Sequence, residues 1–477
     1  MLASIRRKEA WRRAESPRSL GAAAGGPVRG REGSAAVSFS ISQGATAMNL
    51  ILFEDDAFKT LRPMSYSRPV FYLRVGAFTA AERAALQFPE WTPHYLCRPY
   101  LVPAMIRSTG GIKINQVPEG QCVFLNGAVM ADGPSMAETI EAVPLGSAVV
   151  SDGRLLAAKL EEGPAGELFE HILNLLAGGG EDASASGPSG ESVKSLGIDV
   201  AEVSVPLARN TWNLIEGTEE LLPLDWSVFS GRKSSSEVSV SPAAVLVNED
   251  SLYLGSGVKI EAGAVIDASE GPVMLDEGSK IMSHSVVYGP CYVGKNTLIK
   301  ASAKIYGPCS FGPVCKLGGE IAESVVIGYS NKQHDGFLGH AYVGEWVNLG
   351  AGTEVSDLNN NYGPIRTWVN GTMVDSGSVF VGPTIGDHSK TGINSMLNSG
   401  TVIGFCCNIF GSDYLPKFVP SFSWGGRHTL VEHKREKAFD TAVRMTARRK
   451  VELDEVDRAL FDKIYELSRF EREGHHT

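Results

Sequence analysis

"LDEGSKIMSHSVVYGPCYVGKNTLIKASAKIYGPCSFGPVCKL", residues 275–317, carries an apolar side chain at every sixth position: Leu275, Ile281, Val287, Val293, Ile299, Ile305, Phe311 and Leu317. A period of six matches neither a lone amphipathic strand nor a helix, whose periods are about 2 and about 3.6. Glycine often follows the apolar residue, as in "VGKNTL" and "FGPVCK". The pattern is that of a hexapeptide β-solenoid: each hexad gives a short strand and a turn, three hexads close a triangular coil, and the aliphatic points into the prism. The register is expected to resume at Phe337, Val343, Leu349 and Val355, and again at Val379, Ile385, Thr391, Leu397, Ile403 and Ile409. Between those blocks "SDLNNNYGPIRTWVNGTMVDSG" is too polar and irregular for a wall and reads as a loop projecting from one face, where specificity is usually added.

Upstream, "MNLILFEDD" reads as a buried strand running into an acidic loop, and apolar runs such as "CVFLNGAVM" alternate with helical stretches such as "PAGELFEHILNLLAG", the sign of an α/β domain. "GGGEDASASGPSGES", residues 178–192, reads as a disordered loop. Downstream, "VPSFSWGG" marks a loop after Phe418, and the charged segment beyond it, with apolar positions at Phe439, Val443, Val451, Val456, Leu460, Ile464 and Leu467, reads as one or two amphipathic helices that cap the prism or meet a neighbouring subunit. The expected division is a leader over 1–47, an α/β domain over 48–236, a β-helix over 237–415, and a loop with an amphipathic helix over 416–477. The leader holds eight Lys/Arg against three Glu and almost no large aliphatics, so it cannot bury a core; it reads as a transit peptide or as an extension upstream of a start at Met48.

A chain of 477 residues exceeds the size of a single growing core, and a net charge of -10 argues against a nucleic-acid partner. No apolar run is long enough to span a membrane. Seven scattered cysteines with no CxxC pair fit a reducing cytosol rather than a disulfide framework.

"HDGFLGHAYVGEWVNLGAGT", residues 334–353, together with "LRPMSYSRPVFYLRVG" and "GDHSKTGINSMLNSGTVIG", resembles the bifunctional N-acetylglucosamine-1-phosphate uridyltransferase and glucosamine-1-phosphate acetyltransferase family (GlmU-like), in its divergent sugar nucleotidyltransferase branch. The resemblance covers Met48 to about Trp424. It implies an α/β nucleotidyltransferase-like domain, then a left-handed parallel β-helix with a C-terminal helical tail, assembled as a cytoplasmic homotrimer. The activity implied is transfer of a nucleotidyl group from a nucleoside triphosphate to a sugar 1-phosphate, with Mg2+, and acetyl transfer from acetyl-CoA to an amino sugar. His334 falls on the family's catalytic base, a role that suits an imidazole titrating near neutrality. Asn348 falls on a sugar-phosphate contact, Phe337 where the family has a tyrosine, and Gly350 and Ala351 on backbone near acetyl-CoA. Arg62 and Arg68 stand roughly where the family's phosphate-binding arginine and lysine would be, as forks able to hold phosphates bidentately. Asn126 and Gly127, in "FLNG", resemble the strand end where the family places a metal-binding aspartate. Glu54, Asp55 and Asp56 would repel a triphosphate unless magnesium lay between them.

Three departures bear on function: the phosphate loop lacks glycines, Asn126 is uncharged, and the family's lysine twelve residues before its histidine has no match in "GGEIAES". An alternative reading is therefore an inactive sugar-nucleotide-binding or assembly protein, and a third keeps the prism only as an oligomerisation stalk. A metal reading also stands at this point, because His334 and His340 lie one hexad apart and occupy equivalent places on adjoining walls.

Overall fold

The computed structural model describes residues 48–178, 187–232, 234–411 and 413–475; the expected leader over 1–47 lies outside the described residues. A seven-stranded sheet runs in the order Lys113–Ile114, Thr92–Leu96, Asn49–Phe53, Cys122–Asn126, Arg154–Leu160, Ser147–Ser151, Asp199–Glu202. Asn49–Phe53 pairs parallel with both neighbours, and Arg154–Leu160 pairs antiparallel with strands on each side. The near-continuous apolar run "LILF" is what a strand covered on both faces requires, and Leu50 to Phe53 are all buried. Within the expected disordered stretch, Ser189 and Ser192 form a reciprocal cap that starts the short helix Gly190–Lys194, so local hydrogen bonding orders its C-terminal part.

The hexads build a parallel β-helix with three faces. All eight residues of the founding column, from Leu275 to Leu317, are 0–1% exposed. Equivalent outward residues Lys280, Leu298 and Lys316 pair at intervals of eighteen, which is three hexads per coil. Left-handed corners demand positive φ, and Asn296, Val314, Tyr329, Trp346 and His388 take φ of 55, 60, 52, 58 and 58°.

The expected register fails at three places. Lys316 pairs with Asn331 after only fifteen residues, so the coil has contracted. Because side chains alternate across a strand, the slip puts Leu338 inside and leaves Phe337 half-buried outside. Val379 is 41% exposed and belongs to the insertion. The parallel ladder also continues past residue 415 to Phe418–Val419 and Ser423–Gly425, where the antiparallel strand Val431–Glu432 covers the edge and ends it.

The insertion is not a projecting loop. Arg366–Val369 and Thr372–Asp375 form a hairpin whose Val369 packs with Ile365 and Val381 against Trp212, on the helix Thr211–Ser230. That helix lies between sheet and prism: its Asp225 pairs with Arg83 at 2.8 Å and its Thr211 meets Thr384 of the prism at 2.8 Å. The C-terminal tail, Arg435–Ala447 and Glu455–Leu467, closes over Tyr66, Phe405 and Phe422, and Arg107 of the α/β layer holds Asp454 and Asp457. Among the described residues, sheet, prism and tail thus form one compact unit.

Candidate functional site

The strand order makes the carboxyl end of Asn49–Phe53 a topological switch point, the place where α/β sheets bind nucleotides. Here it is filled by ion pairs. Glu54 is fully buried and its carboxylate accepts four hydrogen bonds, from Arg98 Nη2 (2.9 Å), Arg98 Nε (3.1 Å), Arg98 N (3.0 Å) and Val70 N (2.9 Å). Asp55 accepts from Arg154 Nε (2.8 Å), Asn126 Nδ2 (2.8 Å) and Ala57 N (3.0 Å). Asn126 spends its second amide proton on Leu155 O and its oxygen on Ala128 N, both at 2.8 Å. Cationic partners, not magnesium, neutralise the two acids. Since Glu54, Asp55 and Asn126 have committed their oxygens, this donor set does not fit a magnesium ion, which needs free carboxylate oxygens and water around it. The cavity among the described residues beside Glu54, Asp55 and Asp56, closed by Gly187 and Pro188, is about 10 Å³, the room of a single water.

The two arginines expected to hold phosphate are spent elsewhere. Arg68 Nη2 and Nη1 donate to Asp387 at 2.6 and 3.1 Å, and Nη2 also reaches Glu345 at 3.1 Å, so its fork faces two carboxylates of the prism. Arg62 is buried against the rings of Phe58, Tyr66 and Phe470, with Nη1 on Asn370 Oδ1 at 3.1 Å. Gly127 touches Phe71 so closely that a Cβ there would lie 2.6 Å from the Phe71 Cβ; the glycine serves packing.

On the prism, His334 is exposed and its imidazole meets no hydrogen-bond partner among the described residues. Its backbone is held instead. Lys332 occupies an inward wall position, equivalent to Leu317 one rung below, and is 4% exposed. Its Nζ donates to Gly318 O at 3.0 Å and His334 O at 2.9 Å, tying the His334 turn to the preceding coil. Burial lowers this ammonium to about 8, against the opposing pull of Glu354 and Asp335. Counting strictly in sixes conceals Lys332; allowing one coil to shorten, as "KLGGEIAESVVIGYSNK" does, exposes a lysine at an interior rung.

His340 is a structural group. Its Nδ1 meets Asp357 and its Nε2 meets Glu323, both at 2.8 Å, and its ring stacks on Phe380, so neither nitrogen is left for a metal. Burial pulls this imidazole down, but the two carboxylates outweigh burial and raise it to about 9. The folded value lies above the unfolded value of about 6.5, so the stabilisation is complete below that pH and is lost as pH rises through about 9. Urea unfolding should show stability falling by up to about 3 kcal/mol across that window. His340→Gln should flatten the profile; an unchanged slope would detach it from this residue.

Asn348 bridges two rungs of the same face, pairing with Asn331 and Lys390. It lines a groove between the prism and the C-terminal helix. Gly350 and Ala351 are occupied by the fold: Gly350 N donates to Thr391 O at 3.1 Å, Ala351 O accepts from Asn394 N at 2.7 Å, and a Cβ on Gly350 would meet Gly392 O at 2.4 Å. Phe337 donates its backbone N–H to Glu354 at 2.9 Å. The structure therefore brings His334, Lys332 and Asn348 to consecutive coils of one prism and leaves Arg62, Arg68, Asn126 and Gly127 in the interior of the α/β layer and its junction.

Comparison with known proteins agrees with this two-part architecture. Residues 50–233 match the family described as sugar nucleotidyl transferase. A bifunctional sugar-1-phosphate nucleotidylyltransferase/acetyltransferase from Sulfurisphaera tokodaii is 34% identical over 91 residues, 19% of this chain and 23% of that protein. The bifunctional protein GlmU of Prochlorococcus marinus is 26% identical over 215 residues, 45% of this chain and 42% of that protein. The chain thus spans less than half the length of these curated relatives. Among solved structures, the Arabidopsis UDP-N-acetylglucosamine acyltransferase is 14% identical over 50% of this chain and 93% of that one, with a TM-score of 0.22. Over residues 50–233 the chain is thus similar to the sugar nucleotidyl transferases, and in parts it is similar to bifunctional nucleotidylyltransferase/acetyltransferases of the GlmU type, with a hexapeptide prism behind that region.

Proposed function

We propose that the chain is a sugar-nucleotide transferase, joining a nucleotidyl group to a sugar 1-phosphate in the α/β layer and an acetyl group to an amino sugar on the prism. The observation that carries this is the sugar nucleotidyl transferase match over residues 50–233, set ahead of a prism that exposes His334 from a braced turn. In the first reaction a sugar phosphate oxygen attacks the α-phosphorus in line, forming a P–O bond as the bond to pyrophosphate breaks. In the second, the amino sugar nitrogen attacks the thioester carbonyl, its proton passes to His334, and coenzyme A leaves as the thiol. Lys332 positions that turn, and Asn348 supplies an amide for the acceptor. Because nothing in the described residues fixes the His334 imidazole, a homotrimer in which a neighbouring prism faces it is the assembly that suits the site. Seven buried free cysteines suit a reducing cytoplasm.

The test measures pyrophosphate release with a panel of sugar 1-phosphates and thiol release from acetyl-CoA with amino sugars. His334→Ala should cut acetyl transfer by about 10²- to 10⁴-fold, the usual contribution of a general base. An unaltered rate removes His334 from the chemistry. A second reading, in which the α/β layer binds a sugar nucleotide without turnover, is favoured by the Glu54–Arg98 and Asp55–Arg154 pairs at its switch point. Tight binding by calorimetry with no pyrophosphate released would select it.

A further inference from the structure

One position of the prism departs from the rule that holds for its wall. Below Lys332 the same inward column carries Ile260, Ile281, Ile299 and Leu317, each 0–2% exposed. A lysine on that rung buries an ammonium where an aliphatic would fill the space, and burying a charge costs the fold free energy. Among the described residues no carboxylate forms an ion pair with it; its Nζ donates to two backbone carbonyls, Gly318 O at 3.0 Å and His334 O at 2.9 Å. The fold makes room for this bridge. Gly319 has a φ of 73°, and a Cβ there would lie 2.7 Å from the Lys332 Nζ and 2.7 Å from His334 O, so a side chain would collide with both ends of the contact.

The bridge completes a clamp on one turn. From the rung below, Glu320 N donates to Gly336 O at 3.2 Å; from the rung above, Gly352 N donates to Asp335 O at 3.0 Å and Glu354 accepts from Phe337 N at 2.9 Å. At His334 itself the holding group is the Lys332 ammonium, and no backbone N–H among the described residues reaches His334 O. The turn therefore depends on a donor whose strength follows its charge, since charge-assisted hydrogen bonds are about twice as strong as neutral ones. Burial, opposed by Glu354 on the rung above and Asp335 on the turn, brings this ammonium down to about 8. The other titratable groups packed around it are His334 on the turn, Lys316 and Glu320 on the rung below, and Lys300 one rung further down.

We infer that Lys332 is the positioning residue of the acetyl-transfer turn: its ammonium holds His334 in place from inside the prism without touching substrate, and loss of its proton relaxes the turn and sets an upper pH limit on transfer. This rests on the reading of His334 as the base of that transfer. Stability and turnover then move in opposite senses with pH. The folded value lies below the unfolded value of about 10.4, so the penalty of burying the charge is complete below about 8 and is lifted as pH rises through that window. A general base and an amine nucleophile both become more competent as they lose protons, so neither creates an alkaline limb.

Lys332→Met replaces the ammonium by an unbranched apolar side chain suited to the rest of the column. Its thermal midpoint at pH 7 should equal or exceed that of the parent chain. In the same variant kcat for thiol release from acetyl-CoA with an amino sugar should fall about 10- to 100-fold, KM should stay within about twofold, and the alkaline limb should disappear. Lys332→Gln, a neutral donor, should recover part of kcat and likewise lack the limb. Amide hydrogen exchange at residues 333–337 should quicken in Lys332→Met while the rest of the prism keeps its protection. An unaltered kcat, or a drop in thermal midpoint that accounts for the lost rate, would overturn the inference. A parent chain that releases no thiol ends the transferase reading, and exchange at 333–337 then decides the clamp, quickened exchange supporting it and unchanged exchange removing it. Transfer that survives Lys332→Met and fails in His334→Ala keeps the transferase reading and loses this one.

Discussion

Replacing Arg68 by alanine should lower the unfolding free energy by about 3–5 kcal/mol, the cost of leaving buried charge unpaired. Arg68 is 9% exposed, and its fork is the strut between the loop after the first strand and the prism, donating twice to Asp387 and once to Glu345. Asp387 is 3% exposed and also accepts from Glu345 N at 2.7 Å, so removing the guanidinium strips a desolvated carboxylate of its counter-charge. Chemical denaturation with Arg68→Ala and Arg68→Lys measures the effect. Lysine should recover only part of the loss, because a point charge cannot replace a planar fork. A phosphate-binding Arg68 would behave oppositely, weakening nucleotide binding while the unfolding free energy stayed put, and that result would restore the family-based assignment.

Glu54→Ala should be comparably damaging, again by about 3–5 kcal/mol, because it leaves the Arg98 guanidinium buried without its anion. The four bonds that Glu54 accepts join the sequence after the first strand to the segments at Val70 and Arg98, and Arg98 also donates to Ser65 O at 2.7 Å and Arg68 O at 2.9 Å. The carboxylate is therefore the centre of the plug that fills the switch point. Glu54→Gln separates structure from chemistry. If the acid is structural, the amide should soften the loss, and any nucleotidyl transfer should fall only as far as stability does. A stable Glu54→Gln protein with abolished pyrophosphate release would mean that the acid serves the reaction.

Legibility in the sequence followed the range of the interactions involved. The prism was readable because its signal is local and repeated: each hexad places one aliphatic inside, and eight in succession are buried as the spacing requires. The alternation of strand and helix before it was readable for the same reason. His334 and Asn348 were readable only as members of a motif, and the structure puts both on the prism surface, as outward positions of a solenoid must be. The coil contraction before Asn331 was not readable, because "GGEIAES" keeps small residues wherever a hexad would want them while three residues are missing from the coil. That contraction turns Phe337 outward and Lys332 inward.

The sequence alone determined the three-sided column, the sheet ahead of it and the helical end, since each rests on a periodicity that a dozen residues already express. Tertiary structure decided which charges remain available. Arg68, Glu54 and Asp55 read as phosphate and magnesium chemistry until their partners, from 44 to 319 positions away, are brought within hydrogen-bond reach. Coulomb energy depends on distance in space and on exclusion of water, and neither is written in the order of residues along the chain.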